Sequence, residues 1–377
     1  MTTSVRKQRV AIVGGGPGGA TTAMILANRG LEPIVLEAQP GPEFKIGECL
    51  SPGANPLLER LGIQERLRRD GHLPSYGNRS VWGSGTPLDR DFLFGTRGSG
   101  WHLDRRKFEA TMADAARDVG VDWRYGWRLV ECERRNGGWE LSLKTPGGLE
   151  SLEAEFVVDA TGRQARLARQ FGAHQIRYDR LTAIACMLKS DIGKEIKDSF
   201  TLVEAVASGW WYSALLPDAR LMVIYMTDSD LVEHTATNQV DYLFGLLDET
   251  DHTRRRVREG SYYSLNKPRI LPANSARLSD IGGEGWLAVG DAAMAYDPLS
   301  SYGIISAMGA GYYAGCAITD FLGGDQSALL AYKRLVDHTF AQYMVMHCDR
   351  YALERRWADK PFWCRRQRPS FGNEAVV

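Results

Sequence analysis

Three short stretches carry residues of the types and spacings that bind a dinucleotide. The first is Gly14-x-Gly16-x-x-Gly19. In a turn from strand to helix, the first glycine permits the sharp bend, the second lets backbone approach a pyrophosphate, and the third lets helix and strand pack closely. The helix N-terminus adds N–H groups and a positive dipole end. Glu37 lies about 20 residues on, where a carboxylate accepts the hydroxyls of an adenosine ribose. The second stretch is Asp159-Ala-Thr-Gly162-Arg163, and the third is Gly290-Asp291-Ala-Ala followed by Asp297-Pro298-Leu-Ser300-Ser-Tyr302-Gly303. A lone glycine fingerprint is weak evidence; the three in this order describe one nucleotide cradle built from distant parts of the chain.

Other chemistry-bearing side chains are less ordered. His72 and His102 are candidate acid–base groups because imidazole titrates near neutrality, with a packed core or surface histidine as the alternative. Ser300 and Tyr302 add hydroxyls inside the third motif. Trp82, Trp101, Trp210, Trp211 and Tyr212 offer faces for stacking an aromatic substrate, or else bulk for a core. Seven histidines and six cysteines show no metal-ligand spacing, so no metal site is expected, and the scattered cysteines read as reduced thiols.

The elements that must position these groups are partly legible. The apolar run Val10 to Val13 reads as a buried parallel strand, the glycine turn leads into a helix over about 20–29, and a second strand at 34–36 delivers Glu37. Phe156-Val-Val-Asp159 and Trp286-Leu-Ala-Val289 read as further strands that end in the second and third motifs. After Pro298 the chain runs without charge to Thr319 and contains Gly311-x-x-x-Gly315, a pattern also found in membrane helices; its Gly, Ser and Tyr content and its Asp-Pro start assign it to a buried helix instead. A last helix is expected from Ser327 to about Leu353, and the tail Pro361-Phe-Trp-Cys-Arg-Arg-Gln-Arg-Pro369 joins aromatics to positive charge, either as a partner-docking segment or as a packed C-terminus.

On these motifs the chain resembles the flavoprotein monooxygenase superfamily of the p-hydroxybenzoate hydroxylase fold, which includes flavin-dependent halogenases and geranylgeranyl-reductase-like enzymes. The resemblance spans roughly residues 9–322. It implies an α/β fold: a Rossmann-like FAD-binding domain interleaved with a mostly antiparallel β-sheet substrate domain and followed by C-terminal helices. It implies FAD held by Gly14, Gly16, Gly19, Glu37, Asp159, Gly162, Gly290 and Asp291, with Asp291 on the ribityl chain. Arg105, in Trp101-His-Leu-Asp-Arg105-x-x-Phe108, resembles the family arginine that reaches the phosphates, as a forked guanidinium suits. Glu48, in Gly47-Glu-Cys-Leu-Ser-Pro52, resembles the Gly-Glu-Ser-Leu-Pro-Pro segment along the flavin; Cys49 replaces the serine. Pro298, Gly303 and Ile304 open the helix whose positive end would face the pyrimidine edge and stabilise anionic reduced flavin. O2 and either NADH, NADPH or a separate reductase complete the implied chemistry.

Two departures bear on the reaction. Halogenases carry a lysine between the Gly-Glu-Ser-Leu segment and the substrate strand, where this chain has Ser75. Tryptophan halogenases place a glutamate in the Asp-Pro-Leu motif, where Ser300 stands. Both turn the reading from halogenation toward oxygenation. The stretches around Tyr76 to Trp82, Trp101 to Arg105 and Gly209 to Ser213 resemble the flavoproteins that mature cysteine tryptophylquinone in amino-acid oxidases. That resemblance implies oxygenation of an indole, and Trp82, Trp211 and Tyr212 among the aromatic residues are the candidate substrate contacts. The partner is then a protein carrying the target tryptophan; an aromatic small molecule is the alternative. Halogenation, isoprenoid-type reduction and non-catalytic partner binding are the competing functions.

Composition sets the outer bounds. With 377 residues, 44% of them hydrophobic, the chain can bury a large core. Its 46 basic and 46 acidic residues cancel, so no overall field recruits nucleic acid or an anionic membrane. No apolar leader opens the sequence, and a cytoplasmic location is expected. The motifs interleave, giving an FAD-binding domain from 1–80, 100–170 and 270–330, a substrate domain from 80–100 and 171–270, and a C-terminal helical region with tail over 331–377.

Overall fold

The computed structural model describes residues 6–191, 193–233 and 239–367. Two large sheets organise the chain. The first has eight strands and is built on four parallel neighbours around Arg6–Val13: Gly148–Asp159 and then Trp286–Ala288 on one side, Pro33–Glu37 and then Asp122–Tyr125 on the other. Such strands are covered on both faces, which is why Val10–Val13, Ile34–Leu36 and Phe156–Val158 are continuous apolar runs with at most 4% exposure. Register carries the functional consequence. Val13 pairs with Asp159 on one side and Leu36 on the other, and Asp159 pairs with Ala288. The three motif turns and Glu37 therefore leave the sheet at the same carboxyl edge, where α/β sheets bind nucleotides. An antiparallel hairpin, Arg128–Arg135 with Gly138–Thr145, extends the sheet from the first half of Gly148–Asp159.

The glycines of the first turn are required by close approach. Gly14 has φ +108°, and a Cβ there would lie 2.2 Å from the Ala160 carbonyl oxygen, so the first motif is built directly against the second. The helix Pro17–Asn28 starts earlier than the expected position 20, because Pro17 is preorganised for a first turn. It packs against the helix Gly303–Leu322, where a Cβ on Gly311 would come within 2.4 Å of the Gly18 carbonyl and one on Gly315 within 2.7 Å of Ile25. The membrane-like Gly-x-x-x-Gly is thus an internal helix contact. No described helix is long and apolar enough to cross a membrane.

The second sheet also has eight strands and is mostly antiparallel. Its order runs Tyr263–Ser264, Leu181–Lys189, Arg220–Asp228, Gly209–Leu216, Thr201–Val206, Gly77–Val81 and Leu88–Asp91, with Arg269–Pro272 beside Leu181–Lys189. Alternation along a strand divides its side chains between two cores. Ala183, Trp210, Ile224 and Met226 share one core with Tyr351, Phe362 and Trp363, while Ile184, Trp211, Val223 and Tyr225 share the other with Leu243, Leu247 and Val257.

The C-terminal helix Ala328–Ala352 matches the expected span, and Pro361–Gln367 forms one more helix. Most of the aromatic and basic groups of that tail are committed to partners within the molecule. Phe362 and Trp363 are fully buried, Trp363 Nε1 donates to the Val206 carbonyl at 2.9 Å, and Arg365 and Arg366 both pair with the Asp228 carboxylate. Of the two readings of this tail, the packed one describes Phe362, Trp363 and Arg366; Arg368 and Pro369 lie outside the described residues.

Candidate functional site

The carboxyl edge of the first sheet and the near face of the second enclose a cavity of about 670 Å³. Gly14, Gly16, Gly19, Glu37, Glu48, Arg105, Gly162, Gly290, Asp291, Pro298, Gly303, Ile304 and Tyr212 all line it, so most of the expected site comes together. Gly16, the cap of the Pro17–Asn28 helix, has nothing within 4 Å of where a Cβ would stand, which leaves open space above the helix N-terminus. Glu37 accepts the Gly15 N–H at 2.8 Å and the Gln39 N–H at 2.9 Å, fixing its carboxylate at the rim.

Arg105 is anchored from behind. It donates to the carbonyls of Ile46 and Gly47 and pairs with Glu109 at 2.5 Å, leaving buried Nε without a partner. Lys45, which also lines the cavity, pairs with the same Glu109 at 2.9 Å. Asp291 turns its carboxylate to the cavity, 3.7 Å from the Arg163 guanidinium; burial raises its pKa, and Arg163 and Arg105 oppose that rise. Glu48 is 1% exposed with neither oxygen paired, and burial pushes its carboxyl up to about 7 against the pull of Arg105. Tyr212, on the opposite wall, has a buried hydroxyl without a partner. Beside it, Cys49 Sγ lies 3.4 Å from the Thr201 hydroxyl, and burial lifts the thiol to about 11, so it is not a ready thiolate.

Several expected residues stand elsewhere. Asp159 lies beneath the second turn, where its carboxylate accepts the N–H groups of Thr161 and Ala168; neighbouring Ala160, Thr161 and Gly162 form the cavity wall instead. Trp211 points into the far core because Tyr212 and Trp210 occupy the cavity-side face of the same strand. Trp82 packs edge-on against Trp210, Tyr351 and Trp363 and donates its Nε1 to the Arg350 carbonyl at 2.8 Å. Neither tryptophan lines the cavity. Trp101 is likewise buried, its Nε1 bonded to Asn55.

The acid–base candidates are also held outside the wall. His72 accepts the Asp104 N–H through Nδ1, and burial lowers its pKa. His102 lies 3.0 Å from the Thr201 hydroxyl, and burial with the charge of Arg256 takes it down to about 4, a neutral ring. Ser300 spends its hydroxyl on the Asp297 carbonyl at 2.7 Å, shaping the turn, and Tyr302 occupies the N-cap position of the Gly303–Leu322 helix without a side-chain cap hydrogen bond and is 38% exposed. Sequence reasoning missed Lys45, and it missed His347, Tyr343 and Tyr351, which grip the Asp297 turn from behind. The lysine directly before Ile46-Gly47-Glu48 was the available signal; the other three sit on a helix far along the chain and left none.

Residues 7–347 match the FAD binding domain family. The chain belongs to that family. It is 28% identical over 359 residues to a protein of Marinomonas mediterranea described as an FAD-dependent oxidoreductase, LodB, covering 94% of this chain and 95% of that one. Among solved structures, the myxobacterial chondrochloren halogenase CndH superposes with a TM-score of 0.90 at 21% identity, covering 97% of this chain and 87% of CndH. The peptidyl tryptophan dihydroxylase QhpG superposes with a TM-score of 0.78 at 25% identity, covering 98% and 81%.

The cavity residues fit FAD. The space above Gly16, at a helix N-terminus, would receive a pyrophosphate, Glu37 would accept ribose hydroxyls, and Arg105 Nε and the two Glu48 oxygens are buried polar atoms without partners along the remaining wall, with the Asp291 carboxylate beside Arg163. Burying the Glu48 oxygens without a partner is costly, and a bound polar ligand would remove the cost.

Proposed function

We propose that the chain is an FAD-dependent monooxygenase that hydroxylates an indole-type aromatic substrate, a tryptophan carried by a partner protein during maturation of its cysteine tryptophylquinone. Bound FAD, once reduced by NADH, NADPH or a separate reductase, supplies the activation of O2. The observation that carries the reading is Ser75, which stands where the halogenase resemblance expects a lysine. Ser75 is fully buried with an unpartnered hydroxyl, and the cavity's lysine, Lys45, is tied to Glu109 instead. Ser75 itself lies outside the cavity lining and carries no ammonium to hold a hypohalous acid, and the lysine that does line the cavity is the one paired with Glu109. The second sheet contributes Tyr212, Ile224 and Met226, an apolar surface with one hydroxyl, which suits a flat aromatic ring.

Likeness to QhpG, a peptidyl tryptophan dihydroxylase, supports the protein-borne substrate. The fold likeness to CndH keeps halogenation as the second reading. Incubating the FAD-loaded protein aerobically with a reductant and a tryptophan-bearing partner polypeptide tests the proposal: it predicts oxygen-dependent hydroxylation of the tryptophan, and bound, reducible FAD with no oxygenated product from any indole would overturn it.

A further inference from the structure

Behind the turn that separates Tyr296 from the Gly303–Leu322 helix, a buried polar network joins parts of the chain that no motif connects. The Asp297 carboxylate, 1% exposed, accepts the Leu299 N–H at 2.8 Å and the Tyr351 hydroxyl at 2.7 Å, and lies 3.1 Å from His347 Nε2. Tyr343 accepts the Asp297 N–H at 2.8 Å and shares a 2.7 Å hydrogen bond with Ser275. On its other side the same turn presents Asp297, Pro298, Ser301 and Gly303 to the cavity. Ser301 holds φ +55°, a left-handed conformation that a serine adopts only when its surroundings impose it.

We propose that His347 is a positioning residue: as an imidazolium it keeps Asp297 ionised and in place, and so fixes the 297–303 turn against bound FAD. His347 does not line the cavity, so it acts through Asp297 alone. The groups that face it define its charge. Tyr343, Cys348 and Tyr351 approach from its own helix, Asp297 from the turn, and Asp179 from the segment before Leu181–Lys189. Arg366 stacks over Tyr351 from the last helix but is itself committed to Asp228. Burial works against the charged ring, yet Asp297, with Cys348 and Asp179 adding, lifts it to about 9, while His347, the Leu299 N–H and the Tyr351 hydroxyl hold Asp297 below the usual carboxylate range despite its burial. Loss of the proton removes the one cation among the described residues that faces Asp297, leaving its buried carboxylate held by the Leu299 N–H and the Tyr351 hydroxyl near the carboxylate of Asp179, and the turn then has reason to move.

Deflavinated protein titrated with FAD, followed by quenching of flavin fluorescence, tests this without turnover. Wild-type affinity should fall about threefold between about pH 7 and about pH 9.5, as His347 loses its proton. His347→Gln, which keeps a donor and loses the charge, should bind about tenfold more weakly at neutral pH, with a profile flatter than wild type. The flavin's own ionisation is common to both curves and cancels in their difference. A variant with wild-type affinity, or with the wild-type pH profile, would overturn the proposal. If the variant does not fold, NMR titration of ring-labelled histidine in the wild-type protein decides: His347 should remain protonated at about pH 8, and a neutral ring there would overturn it.

Discussion

Gly311 of one helix lies so close to Gly18 of another that a Cβ on Gly311 would sit 2.4 Å from the Gly18 carbonyl oxygen. The contact couples the helix that begins at the glycine turn to the helix that follows the third motif, so both ends of the FAD cradle depend on it. Gly311→Ala should lower stability by about 2 kcal/mol or more, since the clash is with backbone and cannot be relieved by rotating a side chain. Gly309 has nothing within 4 Å of its Cβ position, and Gly309→Ala should be neutral or stabilising by up to about 1 kcal/mol. Thermal unfolding of the two variants separates a specific contact from general helix propensity.

Glu48 predicts a pH dependence of the cofactor-free fold. Its pKa of about 7 lies above the ordinary 4.5, so its contribution to stability is fully present below about 4.5 and is lost as pH rises through about 7. Glu48→Gln cannot ionise. At about pH 8 the apo variant should be about 1–3 kcal/mol more stable than wild type, and the gain should vanish in acid. Urea unfolding at several pH values measures this; equal pH profiles for the two proteins would contradict it.

Tyr212 and its neighbour Trp211 should respond oppositely to mutation because the strand turns them to opposite faces. Tyr212→Phe removes a hydroxyl that faces the cavity, and is expected to leave the fold intact while changing KM or kcat by about tenfold. Trp211→Phe sits in the far core beside Tyr225 and should cost about 1–3 kcal/mol of stability with kinetics near wild type. Steady-state kinetics paired with thermal melts distinguishes the two.

These positions also show what sequence reasoning can reach. The motif turns were legible because each chemical demand is local: a glycine for a bend, a helix start for a phosphate, an acid at a strand end. Their meeting at one sheet edge followed from parallel register. Trp82 and Trp211 misled because large aromatics serve core and pocket equally, and only the partner across the sheet decides which face is which. The Asp297 network was illegible for a different reason. Asp297 and His347 are 50 residues apart, on elements whose packing no spacing rule specifies.

Arg366 anchors the last helix. Its guanidinium, with a side chain 6% exposed, bonds the 2% exposed Asp228 carboxylate at 2.7 Å, and Arg365 provides the second cation. Arg366→Ala leaves Asp228 only partly compensated and should cost about 2–4 kcal/mol. Arg365→Ala, at a 41% exposed position, should cost about 1 kcal/mol or less. Denaturant midpoints of the two variants test the asymmetry.

The central claim is that this FAD cavity oxygenates an aromatic ring and does not halogenate it. The most direct measurement is mass spectrometry of a tryptophan-bearing partner polypeptide after turnover under oxygen-18 gas with bromide and chloride both present. The account predicts labelled oxygen on the indole and no halogen at any position. Halogen on the ring without labelled oxygen would contradict it, and would mean that Ser75 does not govern the choice of reaction.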